Sequence, residues 1–387
     1  MKFIKTALAL GTAVFLSACG KAPSPAVEKA PPTPPPVKGI PVGAFLPLSG
    51  AQAAFGQSAL AGMKMAVKEW NASGGISGKP VELVIRDTES DPDRAAQAVR
   101  ELVEKENAIA LLGEVTSESS LKAAPVAGEL GIPMISPSAT HSKLTDAGPM
   151  IFRVCYSDLF QGLVMSKFAR SIGVSSAAIL WEPGNEYSAD LAASFEKDFL
   201  DHSGKIAAKE TYQKGSVDFS AALQAIKAAQ PEVIFLPSYF PDAAKIIKQA
   251  RTLGLDQPFI GTDGWESQEF LSAGGEAVNN TYFASHFSAG DPSEKTSSFV
   301  TSYREANGGD PLATAALGYD SVLFLADGIR RAGGTDPAAL QTALAATSGF
   351  EGVTGTITLD AQRNPSKPAI VVRVSEGKFN YLETVAP

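Results

Sequence analysis

The chain has 387 residues, 44% apolar and 19% charged, with a formal net charge of −8. That length suits two ordinary domains, and the acidic balance argues against nucleic acid or an anionic membrane surface as a partner. Three scattered histidines (His141, His202, His286) and two cysteines offer no zinc-ligand spacing.

Lys2 and Lys5 precede an apolar stretch over 7–16 that runs into Leu16-Ser17-Ala18-Cys19. A charged start, a short apolar core and small residues before a cleavage point define a secretory signal. The stretch is too short to cross a bilayer, which takes about 20 apolar residues. L-S-A-C is similar to a bacterial lipobox, whose cysteine is acylated and becomes the mature N-terminus. Residues 1–19 are therefore expected to be a lipoprotein signal with Cys19 as the lipid anchor. The chain is expected in the periplasm or at the cell surface, touching the membrane only through that lipid. Acylation of Cys19 leaves Cys155 without an intramolecular partner. Residues 20–38, with KAPSPAVEKAPPTPPPVK at 21–38, are crowded with prolines and read as an extended tether of about 3 Å per residue.

From residue 39 short apolar runs alternate with amphipathic stretches. Strands are expected over 40–46, 81–86, 109–112 and 133–136, with helices over 59–71, 94–106 and 119–130. A second series has strands over 177–181, 205–211, 233–236 and 259–261, with helices over 161–171, 189–202, 219–229 and 242–253. Such alternation predicts an α/β fold of two doubly wound, Rossmann-like lobes. Helices over 294–306, 315–331 and 337–347 and strands over 354–359 and 369–374 are too few for a third sheet and are expected to complete the two lobes. The acidic run Asp87-Thr88-Glu89-Ser90-Asp91-Pro92-Asp93 fails as a calcium loop. Its sixth position is Pro92 instead of glycine, and its twelfth is Ala98 instead of glutamate. It reads as a strand end and a turn.

Ligands of open α/β sheets sit beyond the carboxyl ends of strands. The loops there are rich in hydroxyls: Thr116, Ser117, Ser119 and Ser120 ahead of a helix N-terminus that attracts anions, then Ser136-Pro137-Ser138-Ala139-Thr140. In the second series Ser238-Tyr239 and Thr262-Asp263-Gly264-Trp265 follow strands. Asp263 suits an ammonium group, and Tyr239 suits a cover over the ligand. Each loop alone is explained by capping or turn chemistry. Together they describe a clamp for a zwitterion, as an α-amino acid is.

The motifs at 47–83 (PLSGAQAAFGQSALAGMKMAVKEWNASGGISGKPVEL), 87–99 (DTESDPDRAAQAV), 131–145 (GIPMISPSATHSKLT), 152–162 (FRVCYSDLFQG) and 352–360 (GVTGTITLD) stand in the order found in the bacterial leucine/isoleucine/valine-binding proteins. The chain resembles that family, the solute-binding components of ABC importers, over almost all of 39–387. The resemblance implies a type I periplasmic binding fold, two lobes joined by three crossovers near Ser157, His286 and Gly355. Lobe I would hold 39–157 and 287–355, and lobe II 158–286 and 356–387. It implies ligand contacts from Phe55, Ser117, Ser138, Ala139 and Thr140 in the first lobe. In the second it implies Tyr187, Tyr239 and Asp263, with Trp265 narrowing or lining the pocket and 314–316 walling the side chain. Relatives often carry tyrosine at Phe55 and glutamate at Asp263. The resemblance further implies an amino acid ligand, aliphatic or otherwise apolar, ABC permease partners, a monomer, and no cofactor, metal or catalysis.

Two other readings compete. One is a regulatory or scaffolding lipoprotein on the same fold, or a receptor for urea, an amide or an aromatic acid. The other is an enzyme, against which no G-x-S-x-G elbow, P-loop or metal pair is found.

Overall fold

The computed structural model describes residues 39–387; the signal, Cys19 and the tether lie outside them. The first series runs β1 (Ile40–Leu46), α1 (Ala53–Ala72), β2 (Val81–Asp87), α2 (Pro92–Glu104), β3 (Leu111–Gly113), α3 (Ser117–Glu129), β4 (Met134–Ser136) and β5 (Ile151–Arg153). The second runs α4 (Asp158–Ser171), β6 (Ser176–Trp181), α5 (Glu186–Asp201), β7 (Lys205–Thr211), α6 (Ser220–Ala229), β8 (Val233–Phe235), α7 (Phe240–Thr252), β9 (Phe259–Gly261), α8 (Gln268–Gly274) and β10 (Thr281–Ser285). There follow α9 (Glu294–Asn307), α10 (Ala313–Ala332), α11 (Pro337–Ala345), β11 (Phe350–Gly352), β12 (Gly355–Leu359), β13 (Pro365–Ser366), β14 (Ala369–Ser375) and β15 (Lys378–Val385).

Local chemistry explains the first turns of this order. β1 is central, so its run Val42–Leu46 is buried without alternation. α1 buries Phe55, Ala59, Met63, Ala66 and Trp70, spaced for one helix face. The acidic run between β2 and α2 is a turn and a cap. The Asp91 carboxylate accepts the Asp93 and Arg94 N–H groups with Pro92 at the first helical position, while Asp87 accepts the Leu48, Ser49 and Glu89 N–H groups.

The first sheet is parallel in the order β2-β1-β3-β4-β5. The second has the order β15-β14-β10-β9-β8-β6-β7. From β7 to β10 it is parallel and repeats the first sheet's order, whereas β14 and β15 join antiparallel. Each sheet therefore reverses direction once, between β1 and β3 and between β6 and β8, and those switch points place the ligand crevice. The fold is the type I periplasmic binding fold, with the two sheets as two lobes.

Three expectations need correction. A third sheet does form, a small antiparallel β11-β12-β13. An antiparallel hairpin needs only a tight turn, so short pieces suffice. The chain's last return to the second sheet falls later than Gly355. Arg363 donates to the Thr145 and Gly148 carbonyls and Asn364 pairs with Arg153, so this stretch is still held by the first lobe; the passage lies near Lys367. Finally, β15 was not foreseen, because its exposed edge mixes Lys378, Asn380 and Glu383 with apolar residues.

α9 and α10 return to the first lobe and lie on α1. α1 and α10 touch backbone to backbone. A methyl at Gly62 would stand 1.9 Å from the Ala315 carbonyl oxygen, and one at Gly318 2.2 Å from that of Ala59. Gly62→Ala is expected to lower unfolding free energy by about 1–3 kcal/mol through forced separation of the helices. Urea denaturation measures it, and an unchanged midpoint would mean that this close approach is not needed.

Candidate functional site

The loops after β3 and β4 form the first wall of the crevice. Glu114 is fully buried and accepts the Thr116 N–H at 2.6 Å, the Thr116 hydroxyl at 2.8 Å and the Thr88 hydroxyl at 2.9 Å. Its own carbonyl accepts Ser120 and Ser136 hydroxyls, and Ser138 donates to the Val115 carbonyl at 2.8 Å. The Ser120, Ser136 and Ser138 hydroxyls are therefore spent on backbone carbonyls and that of Thr116 on the Glu114 carboxyl. Ser117 and Thr140 are not so used. Ser117, 1% exposed at the first turn of α3, only accepts the His141 N–H at 3.2 Å, leaving its O–H to donate. The Thr140 hydroxyl lies towards Asp158 without forming a bond of good geometry.

Arg153 on β5, wholly buried, sets this loop. Its Nη1 donates to the Thr140 and His141 carbonyls at 2.9 and 2.8 Å and to that of Ala139 at 3.3 Å. Its other face donates to Asn364 Oδ1.

The second wall centres on Asp263, just after β9. The Tyr187 hydroxyl donates to Asp263 Oδ1 at 2.6 Å, accepts the Gly264 N–H at 2.9 Å and lies 2.7 Å from Thr262 Oγ1. His286 Nε2 is 3.2 Å from Asp263 Oδ2, and the Asp263 N–H donates to Gln161 Oε1 at 2.8 Å. Gln161 in turn donates to Asp158. Burial raises the Asp158 carboxyl well above the usual carboxylate range, reinforced by Asp190 and Asp263.

The two walls meet. Tyr187 and Tyr239 stack at 4.6 Å, and Tyr239 lies 6.0 Å from Phe55 of α1, which also meets Phe240 edge-on at 5.2 Å. The Ser117 N–H faces the Tyr239 hydroxyl. Ser142 donates to Asp190 through its N–H at 2.8 Å and its hydroxyl at 3.1 Å. Glu266 accepts the Ala313 N–H at 2.9 Å at the start of α10, beside the 314–316 segment, and the Ser285 hydroxyl. The lobes are closed on one another.

Phe55, Tyr239, Tyr187 and Asp263 form one chain of contacts that reaches Ser117 through the Tyr239 hydroxyl. Ser138 and Thr140 lie on the loop facing it, whereas the Ala139 side chain packs in the first lobe's core and its N–H donates to Ser136. Trp265 does not join them. Its ring is fully buried against Phe270 and Phe283 over Gly261, because a 3-10 turn after Asp263 drives it into the second lobe's core. Sequence reasoning missed Glu114, Arg153, Tyr156, Asp158, Gln161 and His286. A polar residue inside a run of buried neighbours, as Arg153 is between Phe152 and Val154, was the available signal.

The fold and the paired crevice walls define a two-lobed solute-binding protein. The chain belongs to the periplasmic binding protein family, whose model matches residues 39–378. It is 30% identical over 351 residues to Leu/Ile/Val-binding protein homolog 2 of Brucella abortus (strain 2308), covering 89% of this chain and 93% of that one. It is similar to the branched-chain amino acid transporter substrate binding protein LivJ from Streptococcus pneumoniae in complex with isoleucine. There the TM-score is 0.85 and the identity 35%, over 90% of this chain and 100% of that one. A solute binding protein of an ABC transporter from R. palustris in complex with benzoate gives a TM-score of 0.81 and 26% identity, over 90% of this chain and 97% of that one.

Burial pushes the Glu114 and Glu266 carboxyls up to about 7 from the ordinary 4.5. A raised folded-state value means stability present below pH 4.5 and lost as pH rises through 7, on the order of 3 kcal/mol per group. These two groups pull the unfolding free energy down between pH 5 and 8, and Glu266→Gln is expected to lessen that fall. Denaturant midpoints across this range test it; an unchanged slope in the variant would remove Glu266 from the account.

Proposed function

We propose that this chain is a lipid-anchored, extracytoplasmic receptor that delivers an α-amino acid with an apolar side chain to an ABC permease. What carries the reading is Asp263, held open by Tyr187 on the far side of an aromatic cover shared by both lobes. The ligand ammonium would bond Asp263. The ligand carboxylate would lie at the first turn of α3, taking the Ser117 hydroxyl, the Thr140 hydroxyl and the N–H groups of Ser138 and Thr140, that of Ala139 being spent on Ser136. Charge-assisted hydrogen bonds of this kind contribute about 1.5–3 kcal/mol each. Phe55 and Tyr239 would cover the ligand, and 314–316 would wall its side chain. Closure would turn about the passages near Ser157, His286 and Lys367, and the closed form, stabilised by contacts from both lobes, is what a permease would recognise. The Leu/Ile/Val-binding protein homolog 2 of Brucella abortus and the isoleucine bound to the Streptococcus pneumoniae protein agree with this chemistry.

A second reading is an aromatic acid receptor, favoured by the Phe55, Tyr239 and Tyr187 rings and by the benzoate-bound relative. It leaves Asp263 without a cationic partner.

Calorimetric titration of residues 39–387, refolded to remove carried-over ligand, with the twenty amino acids, urea, acetamide and benzoate separates the two. Micromolar or tighter binding of a few apolar amino acids, about −8 kcal/mol or stronger, is expected, with Asp263→Ala weakening it at least thirtyfold, about 2 kcal/mol. Benzoate binding that survives Asp263→Ala would establish the second reading instead. Membrane attachment rests on Cys19, and Cys19→Ser is expected to release the exported chain from membrane fractions; retention would remove the lipid anchor.

A further inference from the structure

The side chain behind Asp263 is a histidine, and its surroundings are specific. His286 is 2% exposed. Its Nε2 stands 3.2 Å from Asp263 Oδ2, its Nδ1 has no protein partner, and the Tyr156 ring lies over it at 3.7 Å with a 32° tilt. The charged groups facing it are Asp263 from the loop after β9, Lys367 from the passage before β14, and Arg153 from β5. Tyr156 itself is buried and neutral, its hydroxyl held well above its ordinary value by burial. Asp263 therefore has one oxygen bonded by Tyr187 and the other by His286, both from its own lobe, and the remaining lone pairs are what an ammonium group would take.

Resting on the amino acid reading above, we propose that His286 is the positioning residue that keeps Asp263 a receptor for ammonium, and that a proton on His286 turns it into the ligand's competitor. While the imidazole is neutral, Nε2–H donates to Asp263 and the pair carries one negative charge, which a ligand ammonium neutralises. Once the imidazole is protonated, the pair is already neutral, and an added ammonium leaves a net positive charge in a buried site. Binding and protonation are then antagonistic, and linkage makes the effect reciprocal. The direction follows from the surroundings. Burial holds His286 below its ordinary value although Asp263 pulls it up. A bound ammonium would lower it further. Ligand is thus held fully at neutral pH and lost as pH falls through the titration of ligand-free His286. The cleft would thereby distinguish amino ligands from ligands without an ammonium group, which escape this competition.

The test is calorimetry of residues 39–387 with leucine, or the tightest amino acid found, from pH 7.5 to 5.0. Wild-type affinity is expected to fall at least threefold over that range, with no more than tenfold per pH unit. In the pH range where the affinity falls, binding enthalpies in two buffers of different ionisation enthalpy should report proton release, up to one per ligand. His286→Gln, which retains an N–H donor and cannot titrate, is expected to bind within tenfold of wild type at pH 7.5 and to lose both the pH dependence and the proton release. Tight binding with a flat wild-type profile and no proton release would overturn the role of His286 while leaving the receptor reading intact. The same slope in His286→Gln would also overturn it. No amino acid binding at pH 7.5 would overturn both readings together. If that variant does not fold, His286→Asn, which cannot titrate either, is measured in its place with the same expected loss of pH dependence and proton release.

Discussion

One buried guanidinium organises the binding face of the first lobe. Arg153 is taken out of water on a three-residue strand, and an unpaired charge there is untenable. It is satisfied by the carbonyls of Ala139, Thr140 and His141 and by Asn364. Three successive carbonyls turned towards one cation fix the path of the loop after β4. That loop then turns the Thr140 hydroxyl towards Asp158 and lets the His141 N–H reach Ser117. Asn364 comes from the far end of the chain, so the same charge ties the passage before β14 to the first lobe. Loop geometry and hinge path thus share a single electrostatic requirement.

The second lobe solves the complementary problem. A carboxylate receptor must be dry enough to hold a ligand strongly and still open enough to accept it. Asp263 meets this through neutral donors: Tyr187 on one oxygen and His286 on the other, with Gln161 accepting its N–H. Among the described residues no lysine or arginine is paired with it, which on the proposed reading leaves free the place an ammonium would take. The first lobe uses the opposite device, burying the Glu114 carboxyl where the Thr88 and Thr116 hydroxyls and the Thr116 N–H donate to it.

Much of this was legible in the sequence, for identifiable reasons. Strands such as β1 and β8 are buried on both faces and read as unbroken apolar runs, and α1 carries a clear helical face, so the two series emerged from periodicity alone. Loops after strands with clustered hydroxyls marked the crevice. Which hydroxyls are free was not legible, because Ser136 and Ser138 are consumed by carbonyls of the loop after another strand, distant in sequence. Trp265 misled because an aromatic two residues from a site acid looks like lining, whereas a single 3-10 turn sends it to the core. Arg153 and His286 acquire meaning only from partners more than ten residues away.

Closure itself follows from the polar atoms that the two lobes bury. With the lobes together, Thr140 Oγ1, Asp158 Oδ2, Tyr156 OH and His286 Nδ1 lie inside without protein partners. A buried polar group left unpaired costs about 1–3 kcal/mol. The aromatic cover of Phe55, Tyr239 and Tyr187 and the Ser142–Asp190 bonds favour closure, while these atoms oppose it. A ligand that brings both an anionic and a cationic end bears on that opposition where it is concentrated, between Thr140 and Asp263. Its differential affinity for the closed state is then the sum of what it satisfies there, and only that difference moves the equilibrium. An apolar molecule of the same volume would gain the aromatic cover and leave the opposing terms in place. On the proposed reading, selectivity for a zwitterion would therefore be a property of closure as much as of contact.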